Sequence, residues 1–254
     1  MKRFRSFLLA LAVTLLAYAA GELWIFHKPL TIGYIRQAID QKKNVARGIT
    51  RPKTLLVGGS SGLYGFSCQY YSRLTDTPCI NMSITAGLGV DGILTKTEPA
   101  IRPGDTLLLA LEFDLYATDG DGLIYNRVRN QYAISYDPHL FSHLPPRGKL
   151  AAAFSMSFRD LFSAGVEIIL DAAGFQRRFR LSDLTPNGDM SGHSASKAKF
   201  FRHYLDSQSA PRPTLVDPAA LTVGETLVAD FIRAQTARGV RVVGLLPPTF
   251  DDTP

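Results

Sequence analysis

Apolar positions along this chain fall into one long N-terminal block and then into short runs separated by turn-forming residues. The block reads MKRFRSFLLALAVTLLAYAAGELWIF, with Lys2, Arg3 and Arg5 ahead of an apolar stretch whose one charge is Glu22. Cations before such a stretch mark export, the charges staying on the cytoplasmic side. Its length from Phe7 to Phe26 matches the roughly 20 residues that span a ~30 Å hydrocarbon core. Residues 1–27 are therefore either an uncleaved signal anchor or a signal peptide cut at the small-x-small site Ala17-Tyr18-Ala19. No cysteine ends the run, so a lipoprotein has no support.

Residues 28–51 read as a polar connector with helical character, lying just outside the membrane. Beyond it, strand candidates stand at 54–57, 79–84, 106–111 and 240–246. The first is bounded by the glycines of GGSSG. The third follows the Arg102-Pro103-Gly104-Asp105 turn and is continuously apolar, as a strand buried on both faces should be. Helices are expected at 66–75, stopped by Asp76-Thr77-Pro78, at 88–99, and at 222–238, where Leu227, Val228, Phe231 and Ile232 recur at helical spacing before Gly239. This alternation predicts an α/β fold over residues 52–254, a three-layer α/β/α arrangement on a mainly parallel sheet. Residues 115–220 interrupt it, either as a long insertion over one end of the sheet or as a small cap. Within the insertion, an apolar helix at 151–173 carries Arg159, Asp160, Glu167 and Asp171, which argues against a second membrane span.

Composition narrows the class. With 46% hydrophobic and 20% charged residues the chain is not globally disordered, and two cysteines cannot build a disulfide framework. Cys68 and Cys79 are either one disulfide across a short loop, which export would permit, or two buried thiols. The net charge is +6, and no basic tract interleaved with aromatics points to nucleic acid.

The sharpest local feature is LLVGGSSGLYGF at 55–66, a strand running into Gly58-Gly59-Ser60-Ser61-Gly62. Such a turn lifts a hydroxyl to the carboxyl ends of the strands, where open α/β sheets place their sites. A nucleophilic serine there needs a base, an orienting acid and N–H donors for the oxyanion. The plainer alternative is a serine pair that caps the next helix. Neither a Walker lysine nor Rossmann glycine spacing is present.

From these residues the chain resembles the SGNH/GDSL-type hydrolases, in particular their membrane-anchored bacterial relatives linked to surface-polysaccharide and cell-wall polymer acylation. The resemblance makes Ser61 the nucleophile, with Ser60 where the family's Asp stands and as the alternative hydroxyl. Asn81-Met82-Ser83 matches the second block, Ser83 replacing the usual glycine as an oxyanion donor and Gly87 offering another. In the third block Leu111-Glu112-Phe113-Asp114 stands for Gly-x-Asn-Asp, with Phe113 in place of the Asn. The closing Asp-x-x-His block is not found after the last strand, so the domain is expected to be C-terminally incomplete. A substitute base is His193, with Asp189 in the same polar loop, while Glu112 and Asp114, two apart after a buried strand, are orienting acids expected on one side.

The resemblance implies an esterase or O-acyltransferase acting on a cell-surface glycan or cell-wall polymer, without metal or cofactor. Its partners would be the membrane, through the N-terminal segment, a glycan and polysaccharide-modification proteins. The place implied is the bacterial inner membrane, with the domain facing the periplasm or outside, or the periplasm after cleavage. The missing block leaves two alternatives: a catalytically inactive binding or scaffold protein of a polysaccharide modification or export system, and a truncated homologue of such an enzyme.

Overall fold

The computed structural model describes residues 2–25, 31–174, 180–191 and 222–246. Four strands, β1 (Thr54–Gly58), β2 (Cys79–Asn81), β3 (Thr106–Ala110) and β4 (Arg241–Gly244), form one sheet in the order β2-β1-β3-β4 with every pairing parallel. Helices α1 (Lys2–Ile25) and α2 (Thr31–Gly48) precede β1, α3 (Ser60–Gly65) and α4 (Cys68–Thr75) lead to β2, and α5 (Gly89–Thr97) leads to β3. Beyond β3 come α6 (Phe113–Tyr116), α7 (Gly120–Ile124), α8 (Arg127–Tyr136), α9 (Pro138–His143), α10 (Pro146–Ala153) and α11 (Phe158–Ala172). Finally α12 (Val223–Ala237) delivers β4.

The layers follow from strand alternation. Leu55, Val57, Leu107 and Leu109 point to one face, where Ile39 of α2, Ile93 of α5 and Val228 of α12 join the main core. Leu56, Leu108 and Ala110 point to the other, against Cys68, Phe66 and Tyr71. The chain steps from β1 to β2 and then crosses back past β1 to β3. Right-handed crossovers in opposite directions place their helices on opposite faces. The result is a mixed α/β fold with a parallel four-stranded sheet flanked by helices, as the apolar runs predicted.

Three segments depart from expectation. The stretch read as a polar connector outside the membrane is a core helix: α2 buries Ile35, Ala38, Ile39 and Ala46. Regular β2 ends at Asn81, short of the expected 84, although Met82 and Ile84 N–H still donate to Leu56 O and Gly58 O at 2.8 and 3.3 Å; on the outer edge of the strand Asn81 N–H donates to Asn187 O at 2.8 Å in an incoming turn. The insertion is not a separate cap in its described parts, since Tyr132, Leu184 and Met190 belong to the main core.

At the amino end of the sheet the expected turn before β3 is tied by Asp105, whose carboxylate accepts from Arg102 N–H at 2.8 Å, Lys53 N–H at 3.1 Å and the buried Lys53 Nζ at 2.7 Å. Helix α1 is the one described helix long and apolar enough to cross a membrane, with a mean hydropathy of 1.9 over an 18-residue stretch of Arg3–Ile25 and most of that stretch exposed.

Cys68 and Cys79 are joined as a disulfide that ties the start of α4 to β2, 11 residues apart. Replacing both by serine is expected to lower the unfolding free energy by about 2–3 kcal/mol, the loop-entropy value for so short a ring. A fall in urea midpoint at unchanged m-value, reproduced for the unaltered chain under reductant, is the measurement.

Candidate functional site

Strand β1 ends at Gly58, and Gly59 is the N-cap of the six-residue helix α3. A glycine cap offers no side chain to the helix's first N–H groups, which must find acceptors elsewhere. They find Glu112, which follows β3 and sits across the carboxyl end of the sheet. Its Oε2 accepts from Gly59 N–H at 3.0 Å and its Oε1 from Ser61 N–H at 2.8 Å. The clasp leaves no room for a larger residue at 59, where a Cβ would stand 2.4 Å from the carboxylate and 2.6 Å from Ala86 N. In the strand order 2-1-3-4 the crossover direction reverses between β1 and β3, so this carboxylate closes the topological switch point, the place where such sheets bind ligands.

Ser60 is exposed and Ser61 half-buried at this turn. The expected oxyanion donors are already engaged: Ser61 N–H on Glu112, Ser83 N–H on Asn81 Oδ1 at 3.0 Å, and Gly87 N–H on Thr85 Oγ1 at 3.2 Å. Ser83 is fully buried, and its Oγ would meet a Cβ on Gly62 at 2.5 Å, so Gly62 lets α3 settle directly onto it. Strand alternation does not carry past β3. Glu112 is the N-cap of α6 and turns back to the serine loop, whereas Asp114 lies exposed in the first turn of α6 and Phe113 is 52% exposed. The two acids therefore do not share a side.

Asp189 is buried and spent on structure. Its carboxylate accepts from Cys68 N–H and Gln69 N–H, both at 2.9 Å, from Ser67 Oγ at 3.2 Å and from Asn81 Nδ2 at 3.2 Å. It thus caps α4, where the helix dipole favours a negative charge. Gly188, at φ +79°, makes the approach: a Cβ there would stand 2.6 Å from Asn81 O. Asn81 passes the connection on, its Nδ2 also donating to Gly62 O at 3.1 Å. The remaining expected residue, His193, lies outside the described residues. Among the described residues no group of three or more His, Cys, Asp and Glu side chains gathers as a metal site.

Sequence reasoning missed Lys42. Its Nζ donates to Ser83 O at 2.6 Å from a fully buried position. Burial pulls its pKa down to about 7, opposed in part by the Asp189 charge. The signal was present, because Lys42 falls on the apolar stripe of α2 with Ile35, Ala38, Ile39 and Ala46.

Chemically, the turn presents a serine hydroxyl beside a carboxylate. An oxyanion built a few ångströms from Glu112 would meet repulsion of about 4 kcal/mol at 4 Å and an effective dielectric near 20. Acyl transfer at Ser61 therefore requires Glu112 to withdraw or to be neutralised.

No protein-family model matches the chain, and neither a curated protein nor a solved structure matches it. The functional reading accordingly rests on the serine turn and its surroundings.

Lys42 yields a pH signature. It holds its proton less firmly folded than unfolded, so between about pH 7 and the ordinary lysine value the folded state carries fewer protons and stability rises with pH. Lys42→Met removes this dependence. Its stability relative to the unaltered chain should be most favourable at or below about pH 7 and decline toward about pH 10, by at most about 1.4 kcal/mol per pH unit. The lost bond to Ser83 O adds a constant offset and leaves the slope intact. Urea unfolding at several pH values across this window is the check.

Proposed function

We propose that this protein is an envelope-anchored, SGNH-like esterase or O-acyltransferase that works on a cell-surface glycan or cell-wall polymer. The observation that carries the reading is the placement of Ser61 at the carboxyl end of β1, at the switch point of a parallel sheet ordered 2-1-3-4. In this reading Ser61 Oγ attacks the ester carbonyl while its proton passes to a base, for which His193 is the candidate. The leaving alcohol then takes that proton, and water or a glycan hydroxyl releases the acyl group from Ser61. Glu112 must first release Ser61 N–H, which then faces the developing oxyanion. The apolar α1 supports the anchoring half of the proposal.

A second reading, a noncatalytic binding or scaffold protein of a polysaccharide modification or export system, is favoured by the Glu112 clasp itself. The carboxylate stands where a catalytic serine needs uncommitted donors.

A fluorophosphonate probe separates the two. The enzyme reading expects labelling of the folded full chain that is lost in Ser61→Ala and kept in Ser60→Ala. It further expects Glu112→Gln to label at least as fast, since the neutral amide removes the repelling charge. Failure to label both the unaltered chain and Glu112→Gln, with circular dichroism showing both folded, would sink the enzyme and leave the scaffold.

A further inference from the structure

Helix α11 opens on a complete capping box formed by Ser157 and Asp160 and runs for 15 residues, packing chiefly on α1. One face, formed by Leu161, Ala164 and the partly buried Ile168, meets Tyr18 and Ile25 of α1. The fit is reciprocal. A Cβ on Gly21 would lie 3.3 Å from Leu161, and one on Gly165 would lie 2.9 Å from Trp24. Tyr18 fastens the pair, its hydroxyl donating to Met156 O at 2.7 Å and its ring lying 5.4 Å from those of Phe154 and Phe158.

Turned about 140° from that face at 3.6 residues per turn, a second apolar stripe points away from the protein. It consists of Phe158, Phe162, Val166, Ile169 and Leu170, which are 54, 75, 39, 62 and 43% exposed. Exposed Ser163 and Glu167 and the partly buried Asp160 and Asp171 occupy the remaining arc, and exposed Arg159 stands at the stripe's edge between Val166 and Leu170. A helix lying against water would carry polar residues on its outer side. A contiguous apolar stripe there marks an interaction surface.

What borders the stripe identifies its occupant. The two helices run in the same direction, Tyr18 beside Phe158, Gly21 beside Leu161 and Trp24 beside Gly165. The stripe is therefore continuous with the exposed apolar surface of α1, the one described helix of membrane-spanning length. We propose that α11 is a second, non-spanning membrane contact. Its stripe faces the outer part of the leaflet into which α1 emerges, Phe158 and Phe162 beside the Tyr18–Glu22 stretch of α1 and Ile169 and Leu170 nearer the headgroups, with Ser163 and Glu167 turned from the lipid. The inference rests on the reading of α1 as a membrane anchor. It calls for a lipid surface held by apolar burial and for no particular headgroup. Cleavage after Ala19 would remove Tyr18 and leave Phe154 and Phe158 without their partner.

Trp24 is the only tryptophan in the chain, which makes the test direct. In a Trp24→Phe background, single tryptophans are placed by Leu9→Trp in α1, Phe162→Trp and Ile169→Trp in the stripe, and Glu167→Trp on the polar arc. The full chain is reconstituted into phosphatidylethanolamine–phosphatidylglycerol vesicles with brominated acyl chains. Tryptophan at 162 and at 169 is expected to be quenched several-fold more than at 167, and more by shallow than by deep bromines. Quenching at position 9 alone, with 162 and 169 at the level of 167, overturns the inference and leaves the anchor standing. No quenching at position 9 removes the anchor and the inference with it. Stripe tryptophans shielded from both bromolipid and aqueous iodide point to a protein partner or a second copy and also overturn the proposal.

Discussion

A helix that begins on glycine has no cap side chain for its first N–H groups, and in this protein Glu112 supplies one oxygen to Gly59 N–H and the other to Ser61 N–H. The consequences reach in three directions. The ends of β1 and β3 are clasped together by one side chain. Position 59 must be glycine, because the carboxylate occupies the space a side chain would take. The Ser61 N–H, which an acyl-transfer enzyme would aim at its substrate, is aimed at the protein's own anion. One interaction therefore sets the geometry of the serine turn and occupies the N–H that acyl transfer at Ser61 would need.

Beneath the turn runs a second polar chain. Asp189 holds the start of α4 and the amide of Asn81; Asn81 holds Gly62 O and Ser83 N–H; and Lys42 holds Ser83 O. Each link satisfies a buried polar group that would be costly alone. Lys42 is the link with the least compensation, since its charge sits among apolar neighbours with Asp189 as the favourable charge. The serine helix is thus supported from two sides, by Glu112 at its start and by this network under its first turn.

Much of the architecture is legible in the sequence. Continuous apolar runs at 54–57 and 106–111, bounded by glycine and by Arg102-Pro103-Gly104-Asp105, became the central strands, and Gly239 ended α12 as its position foretold. Two other segments misled for physical reasons. Polar residues on one side of α2 gave it the look of a connector, while its opposite stripe was a core face. The alternation that put Glu112 and Asp114 on one side holds only while the chain stays extended, and it turns helical immediately after Glu112. Hydrogen-bond destinations were the least legible. Neither the commitment of Glu112 to both Gly59 and Ser61 nor that of Asp189 to α4 follows from residue type, because each depends on which loop arrives at which helix end.

The turn carrying Asp189 arrives from far along the chain: its partners at Ser67 and Asn81 lie 122 and 108 residues earlier. The segment between β3 and α12 is accordingly not a detachable module. Excising it would leave the sheet strands uncut, yet Cys68 and Gln69 would lose the acceptor for their N–H groups and Asn81 would lose one of its partners. Any shortened form of this architecture has to supply another anion at that place. The apparent excursion is where the first crossover of the sheet is finished.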